Sequence, residues 1–467
     1  MHQSLKASTR VLLPALLALL GCNSPESLYP LHSIPDDGSL LRIVQDSLFL
    51  QFSLSARLDV SRTDSAGHDR PAYLQWVSRD TGVVSVDAHG GVSAAGVGRT
   101  WIVVSDLKHQ DSARVVSTAS YISIHAGIES TCALTTQHLP LCWGWNGFGA
   151  LGNGTTVDSS TPVPVANMLA VQALVGGGGT TCAVSLAAWC WGWNAAGMIG
   201  DGTIKQRLVP QAVADTFLFS RLTLGAGANA CGFTLSSAVI CWGSNGWGQL
   251  LLGGTTNLHR PMALNSGVAF VAVATGGGHV CGLDATGTPW CWGRNDRGQA
   301  GAGEAVTTVP AMVAGGPPFV SLTAGREHVC GRTAGGQVWC WGDNSRGQLG
   351  VNGRGVFSTT PALAVNGMTL DTVTSTAYHT CGLAAHVAWC WGDNTYGQLG
   401  DGSRAGSQSD AVQVAGGLRF ASISTGLNHT CGVTTSGVAY CWGRNGLGAL
   451  GIGDRIDRTT PVRVAFQ

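Results

Sequence analysis

The chain has 467 residues, only 11% of them charged, and its 26 basic and 26 acidic residues balance. That length allows more than one domain, and the neutral surface excludes a nucleic-acid binder held by phosphate contacts. The 68 glycines, the frequent Val, Thr and Ser, and the near absence of helical periodicity point to an all-β protein with many tight turns.

Lys6 and Arg10 precede an apolar run over 11–20 that is too short to span a bilayer. The run ends in Leu19-Leu20-Gly21-Cys22, which resembles the lipobox of bacterial lipoproteins. The resemblance implies that residues 1–21 are a signal peptide and that Cys22 carries lipid, which holds a protein firmly on a membrane. A secretion signal with an unrelated cysteine is the plainer alternative. Asn23, where the sorting rule of that family avoids Asp, implies the outer membrane of a bacterial envelope, on its periplasmic or surface face. Residues 22–36, with Pro25 and Pro35, read as a short lipidated tether.

Residues 37–118 form a unit of their own. Strands are expected over 48–54, 74–78, 83–86 and 101–104, with turns at 87–91 and 96–98. Trp76-Val77-Ser78-Arg79-Asp80, Val84-Ser85-Val86-Asp87, Gly91-Val92-Ser93 and Gly96-Val97-Gly98 resemble the bacterial immunoglobulin-like domain, group 2. That resemblance implies a small β-sandwich acting as a spacer, or alternatively as an adhesion module.

From residue 119 to 467 one phrase, Cys-Trp-Gly-x-Asn, returns seven times at intervals close to fifty residues, starting at Cys142, Cys190, Cys241, Cys291, Cys340, Cys390 and Cys441. A second cysteine precedes each copy: Cys132, Cys182, Cys231, Cys281, Cys330, Cys381 and Cys431. A fixed period of this size marks a repeat architecture. In the last copy, strands are expected over 420–424, 428–433, 438–443 and 460–464, about four to a blade. The motifs Gly-x-x-His-x-Cys, at 325–330 and 426–431, and Cys-Trp-Gly-x-Asn-x-x-Gly-Gln-Leu-Gly, complete at 340–350 and 390–400, resemble the regulator of chromosome condensation repeat family. The resemblance implies a seven-bladed β-propeller over 119–467. The last strand, 460–466, is expected to close the ring by pairing beside 121–125 in the first blade.

Fifteen cysteines divide into Cys22 and seven pairs, an even set that reads as a disulfide framework in an exported chain. The paired cysteines are eight to ten residues apart and flank one hairpin turn, so they can face each other across adjacent strands. Zinc ligands commonly lie two to four residues apart, a spacing that these pairs lack. The tryptophans after each second cysteine, and Trp189, Trp290, Trp339, Trp389 and Tyr440 before it, are expected between blades. The recurring asparagines, Asn146 to Asn445, fit turns that bond nearby backbone.

No nucleophile, base and acid recur together, and the glycines do not form a phosphate loop, so neither an enzyme nor a cofactor is expected. His279, His328, His379 and His429 recur in register; structural hydrogen bonding is expected of them rather than metal binding. The loops after Cys-Trp-Gly are aromatic in the first three copies, with Trp145, Phe148, Trp193 and Trp247, and charged in the later ones. Exposed aromatics on such loops would form a protein-binding face; alternatively the rings pack beneath neighbouring loops. The expected function is a monomeric, membrane-anchored, non-catalytic protein-binding scaffold. An inhibitor of an extracytoplasmic enzyme, as in propeller β-lactamase inhibitors, is the alternative. Guanine-nucleotide exchange, known from the nuclear member of the family, fits an exported neutral chain least.

Overall fold

The computed structural model describes residues 40–466 except 64–65, 67, 69–72, 107–108, 169, 302, 304 and 352–356. Cys22, the lipobox and the tether lie outside the described residues. Among those described, one single-turn 3-10 helix, Val365–Gly367, interrupts an otherwise all-β chain.

Residues 40–118 build three small sheets. Ser47–Gln51 runs parallel to Gln110–Thr118, which continues antiparallel to Gly98–Ser105 and then Gln75–Ser78. Ser55–Arg57, Gly91–Ala94 and Val84–Val86 form a second sheet, and Leu40–Ile43 pairs with Val60–Thr63. Alternation along Gly98–Ser105 sends Thr100, Ile102 and Val104 inward. Ile102 and Val104 meet Leu41, Ile43, Leu58, Val84, Val92 and Val115 in one apolar core shared by all three sheets.

From Tyr121 onward the chain makes seven four-stranded antiparallel sheets in sequence order, the first from Tyr121–Ala126, Ser130–Thr135, Pro140–Gly144 and Ser159–Pro164, the seventh from Phe420–Thr425, His429–Thr434, Ala439–Gly443 and Arg458–Arg463. The innermost strands neighbour one another in cyclic order, and that of the first sheet packs on the seventh. The sheets therefore form a closed ring of propeller type.

Closure differs from expectation. Arg458–Arg463 pairs with Ala439–Gly443 as the outermost strand of its own sheet and does not enter the first. Tyr121, Ile124 and Trp143 instead pack sideways on Cys431, Val433, Cys441 and Leu450, and the Ala119 N–H donates to the Phe466 carbonyl at 3.1 Å. Four strands already complete each sheet, so the tail has no open inner edge to fill. Phe52 and Val97 of the smaller unit are buried in this same cluster, so that unit sits on the junction of first and last sheets.

In every sheet the two cysteines lie opposite each other on the second and third strands, Cα atoms 4.1 Å apart, and are joined as disulfides. The tryptophan that follows is wholly buried and leans on the preceding sheet: Trp191 shares a core with Cys132 and Cys142, and Trp442 with Cys381 and Cys390. All seven indoles donate to a carbonyl of that preceding sheet's loop, from Trp143 to Ala449 (2.9 Å) through Trp242 to Met198 (2.7 Å) to Trp442 on Gln398 (3.0 Å). Trp189, Trp290, Trp339, Trp389 and Tyr440, nearer the hairpin end, are only half-buried.

Candidate protein-binding face

In each sheet the first-to-second and third-to-fourth strand connections emerge at one end, so fourteen loops share one face. The long third-to-fourth loop is held from within by its asparagine. The side-chain oxygen of Asn146 accepts the Leu151 N–H at 2.9 Å while its amide donates to the carbonyls of Thr155 and Val157. The oxygen of each other asparagine accepts the N–H five residues on in the same way. A buried amide with both ends bonded fixes the loop's path. What varies is the residue on either side.

The aromatic residues singled out by sequence are all on this face but do not form one patch. Trp145, half-buried, meets Phe148 edge-on with ring centroids 5.0 Å apart, and Phe148 remains 38% exposed. Trp193 is half-buried against the Met198 and Leu224 core between second and third sheets. Trp247 is 40% exposed and lies beneath the Arg294 guanidinium, 5.3 Å from the ring. Phe148 and Trp247 are thus partly exposed, while Trp193 packs.

The later loops carry an ion-pair lattice across sheet boundaries. Arg294 bonds Glu327 (2.7 Å) in the next sheet, Arg346 bonds Asp393 (3.0 Å), and Arg444 bonds Glu129 (2.6 Å) across the ring's closing junction. Arg326 and Arg346 approach the Tyr378 ring, and Arg444 that of Tyr396. Burial pushes the Glu129 carboxyl up, and Arg444 opposes it. Sequence reading missed this lattice, although a signal existed. Arginine fills the variable position of Cys-Trp-Gly-x-Asn in the fourth and seventh copies, and a glutamate stands three residues before the first cysteine of the copy that follows each around the ring.

The four histidines are wholly buried, and in three of them Nε2 meets a threonine of the following sheet: His328 with Thr380, His379 with Thr430 and His429 with Thr131, each 2.9 Å from the hydroxyl. Each threonine hydroxyl in turn donates to a loop carbonyl, of Gln348, Gln398 and Ala449 respectively. The matching position opposite His279 is Val329, and neither ring nitrogen of His279 reaches a partner beyond a weak approach to the His328 backbone. Burial pushes His279 and His429 down to about 3 and His328 and His379 down to about 4, so all four rings are neutral near pH 7. They do not converge: among the described residues no three His, Cys, Asp or Glu side chains gather as a metal site. A cleft between the first and second sheets, lined by His125, Ser130 and Thr180, has room for about 10 Å³, a single water.

No curated protein sequence matches the chain. Among solved structures, human WBSCR16 is similar at 21% identity and a TM-score of 0.62, over 70% of this chain and 93% of that one. Yeast RCC1 (Prp20) bound to Kap60 is similar at 19% identity and a TM-score of 0.61, over 74% and 85%; Prp20p of Saccharomyces cerevisiae alone gives 21% and 0.61, over 74% and 87%. These likenesses speak to fold. The family model of the regulator of chromosome condensation (RCC1) repeat matches residues 141–184, 270–299, 319–348, 387–433, 420–449 and 436–467. The third sheet lies outside these ranges; it has Asn229 where later sheets have histidine, and Leu251, at φ 55°, where most have glycine. Parts of the chain thus match the RCC1 repeat, and its all-β ring is similar in fold to the RCC1 propellers.

Proposed function

We propose that this chain is a seven-bladed propeller of the RCC1 repeat family, carried on an immunoglobulin-like spacer and a lipidated Cys22, and that it is a non-catalytic protein-binding scaffold of the bacterial cell envelope. One observation carries the reading. Seven loops on one face have their backbones clamped by a repeated buried asparagine, while the side chains beside it differ from loop to loop. A rigid frame with varied tips suits recognition, because little side-chain or loop entropy is lost on binding. Phe148 and Trp247 are the exposed aromatic tips, Trp145 braces Phe148, and Trp193 anchors its loop. The lipobox motif and the seven disulfides both suit an oxidising compartment outside the cytoplasm.

The test is affinity capture from the native envelope with the lipidated protein. A partner retained by wild type should be lost on Phe148→Ala combined with Trp247→Ala, with melting temperature unchanged. Equal retention by the double variant and by a Trp145, Phe148, Trp193, Trp247 fourfold alanine variant would remove this face from the function.

A further inference from the structure

The outermost strand of each sheet lies at the rim of the ring, and in four of them the preceding sheet's loop bonds its first half: Gly154, Gly202, Gly402 and Gly453 donate to the carbonyls of Leu208, His259, Thr459 and Ser160. In all seven, a residue just past the strand donates its N–H inward, as Val464 does to the Ala439 carbonyl at 3.0 Å and Val414 to Ala388 at 2.9 Å. Backbone groups alternate sides along a strand, so the residue three before it points its N–H outward. In six sheets that residue is proline: Pro162, Pro210, Pro261, Pro310, Pro361 and Pro461. Proline there removes a central outward donor, a common way of stopping a further strand from adding to an edge. In the sixth sheet, Ser407–Gln413, the position is Ala411, which keeps its N–H. The residue before it also departs: the exposed Asp410 stands where the others have Thr161, Val209, Arg260, Val309, Thr360 and Thr460.

We infer that the Ser407–Gln413 edge is a docking site for an extended segment of a partner protein that adds as a fifth strand and carries a Lys or Arg opposite Asp410. Main-chain bonds to the outward groups of Ala411 and Gln413 supply affinity, and the lone carboxylate supplies preference for a cation. A second copy of this chain fits less well. Self-pairing about Ala411 would place both Asp410 carboxylates on one face, and seven residues bury too little area for a stable dimer. The site is on the rim and does not depend on the loop face.

The test is selection from a phage-displayed library of random octapeptides on the full disulfide-bonded protein. Enriched peptides should alternate β-branched residues with Lys or Arg. Their affinity should fall at least tenfold on Ala411→Pro, a change that six sibling strands show the fold accommodates. Asp410→Asn should weaken lysine-bearing peptides selectively. Asp410→Lys gives an independent loss should Ala411→Pro misfold. The inference is overturned if no peptide is enriched, if selected peptides bind Ala411→Pro as tightly as wild type, or if sedimentation shows Ala411-dependent self-association instead. The Phe148, Trp247 double alanine variant should leave peptide binding unchanged.

Discussion

The contrast between His279 and its three siblings isolates what one hydroxyl contributes. His328, His379 and His429 each meet a threonine; the position equivalent to those threonines in the sheet after His279 is Val329. Thr380→Val should cost about 1–3 kcal/mol in chemical denaturation, because it orphans a buried His328 nitrogen and the Gln348 carbonyl loses a donor. Val329→Thr should do the reverse for His279, a gain of about 1 kcal/mol; unchanged stability would show that this ring is already satisfied. Glycine acts through space as well as dihedral at Gly400. Its φ is 74°, and a Cβ there would lie 2.5 Å from Trp442 Nε1. Gly400→Ala should cost about 2 kcal/mol or more, with Trp442 fluorescence altered in the folded state.

At the scale of the strand and loop, much was written in the sequence. Alternation and turn residues located the strands of the seventh sheet to within a residue or two, and the cysteine spacing around one hairpin placed each pair face to face. Those are local facts, set by a period of two and by a turn. The partner of each tryptophan was not legible, because the accepting carbonyl lies some 41 to 44 residues earlier, or 306 later for Trp143. The histidine–threonine contacts stayed hidden for the same reason, and so did the closing junction. Asn394 shows an element-level consequence. Its side chain accepts from Leu399 and donates to Ser403. Asn394→Ala should release this loop, seen as faster amide exchange over 395–403, at a cost of about 2 kcal/mol.

Over the whole molecule these contacts are unevenly spread. Histidine–threonine contacts tie the fifth sheet to the sixth, the sixth to the seventh and the seventh to the first; among the described residues the four junctions from the first sheet round to the fifth have none. An exposed histidine takes up its proton near pH 6.5, these rings only near 3 to 4. The unfolded chain therefore binds more protons once pH drops below 6.5. Stability is full above that value and is lost as pH falls toward 4, by about 2 kcal/mol per ring at pH 5. Melting temperature should drop between pH 7.5 and 5, and hydrogen exchange should quicken first in the fourth to seventh sheets. Equal exchange around the ring would contradict the assignment. Seven cross-strand disulfides do not soften this response, since each lies inside one sheet and none crosses a junction.

The seat of the smaller unit has a mechanical meaning. Phe52 and Val97 wedge against the only place where the ring's two ends meet. Tension applied through the N-terminal side of the chain would load the smaller unit, beginning with Leu40–Ile43, and would reach the ring at that wedge. The join between start and finish is thus where pulling on the smaller unit would first be felt by the ring.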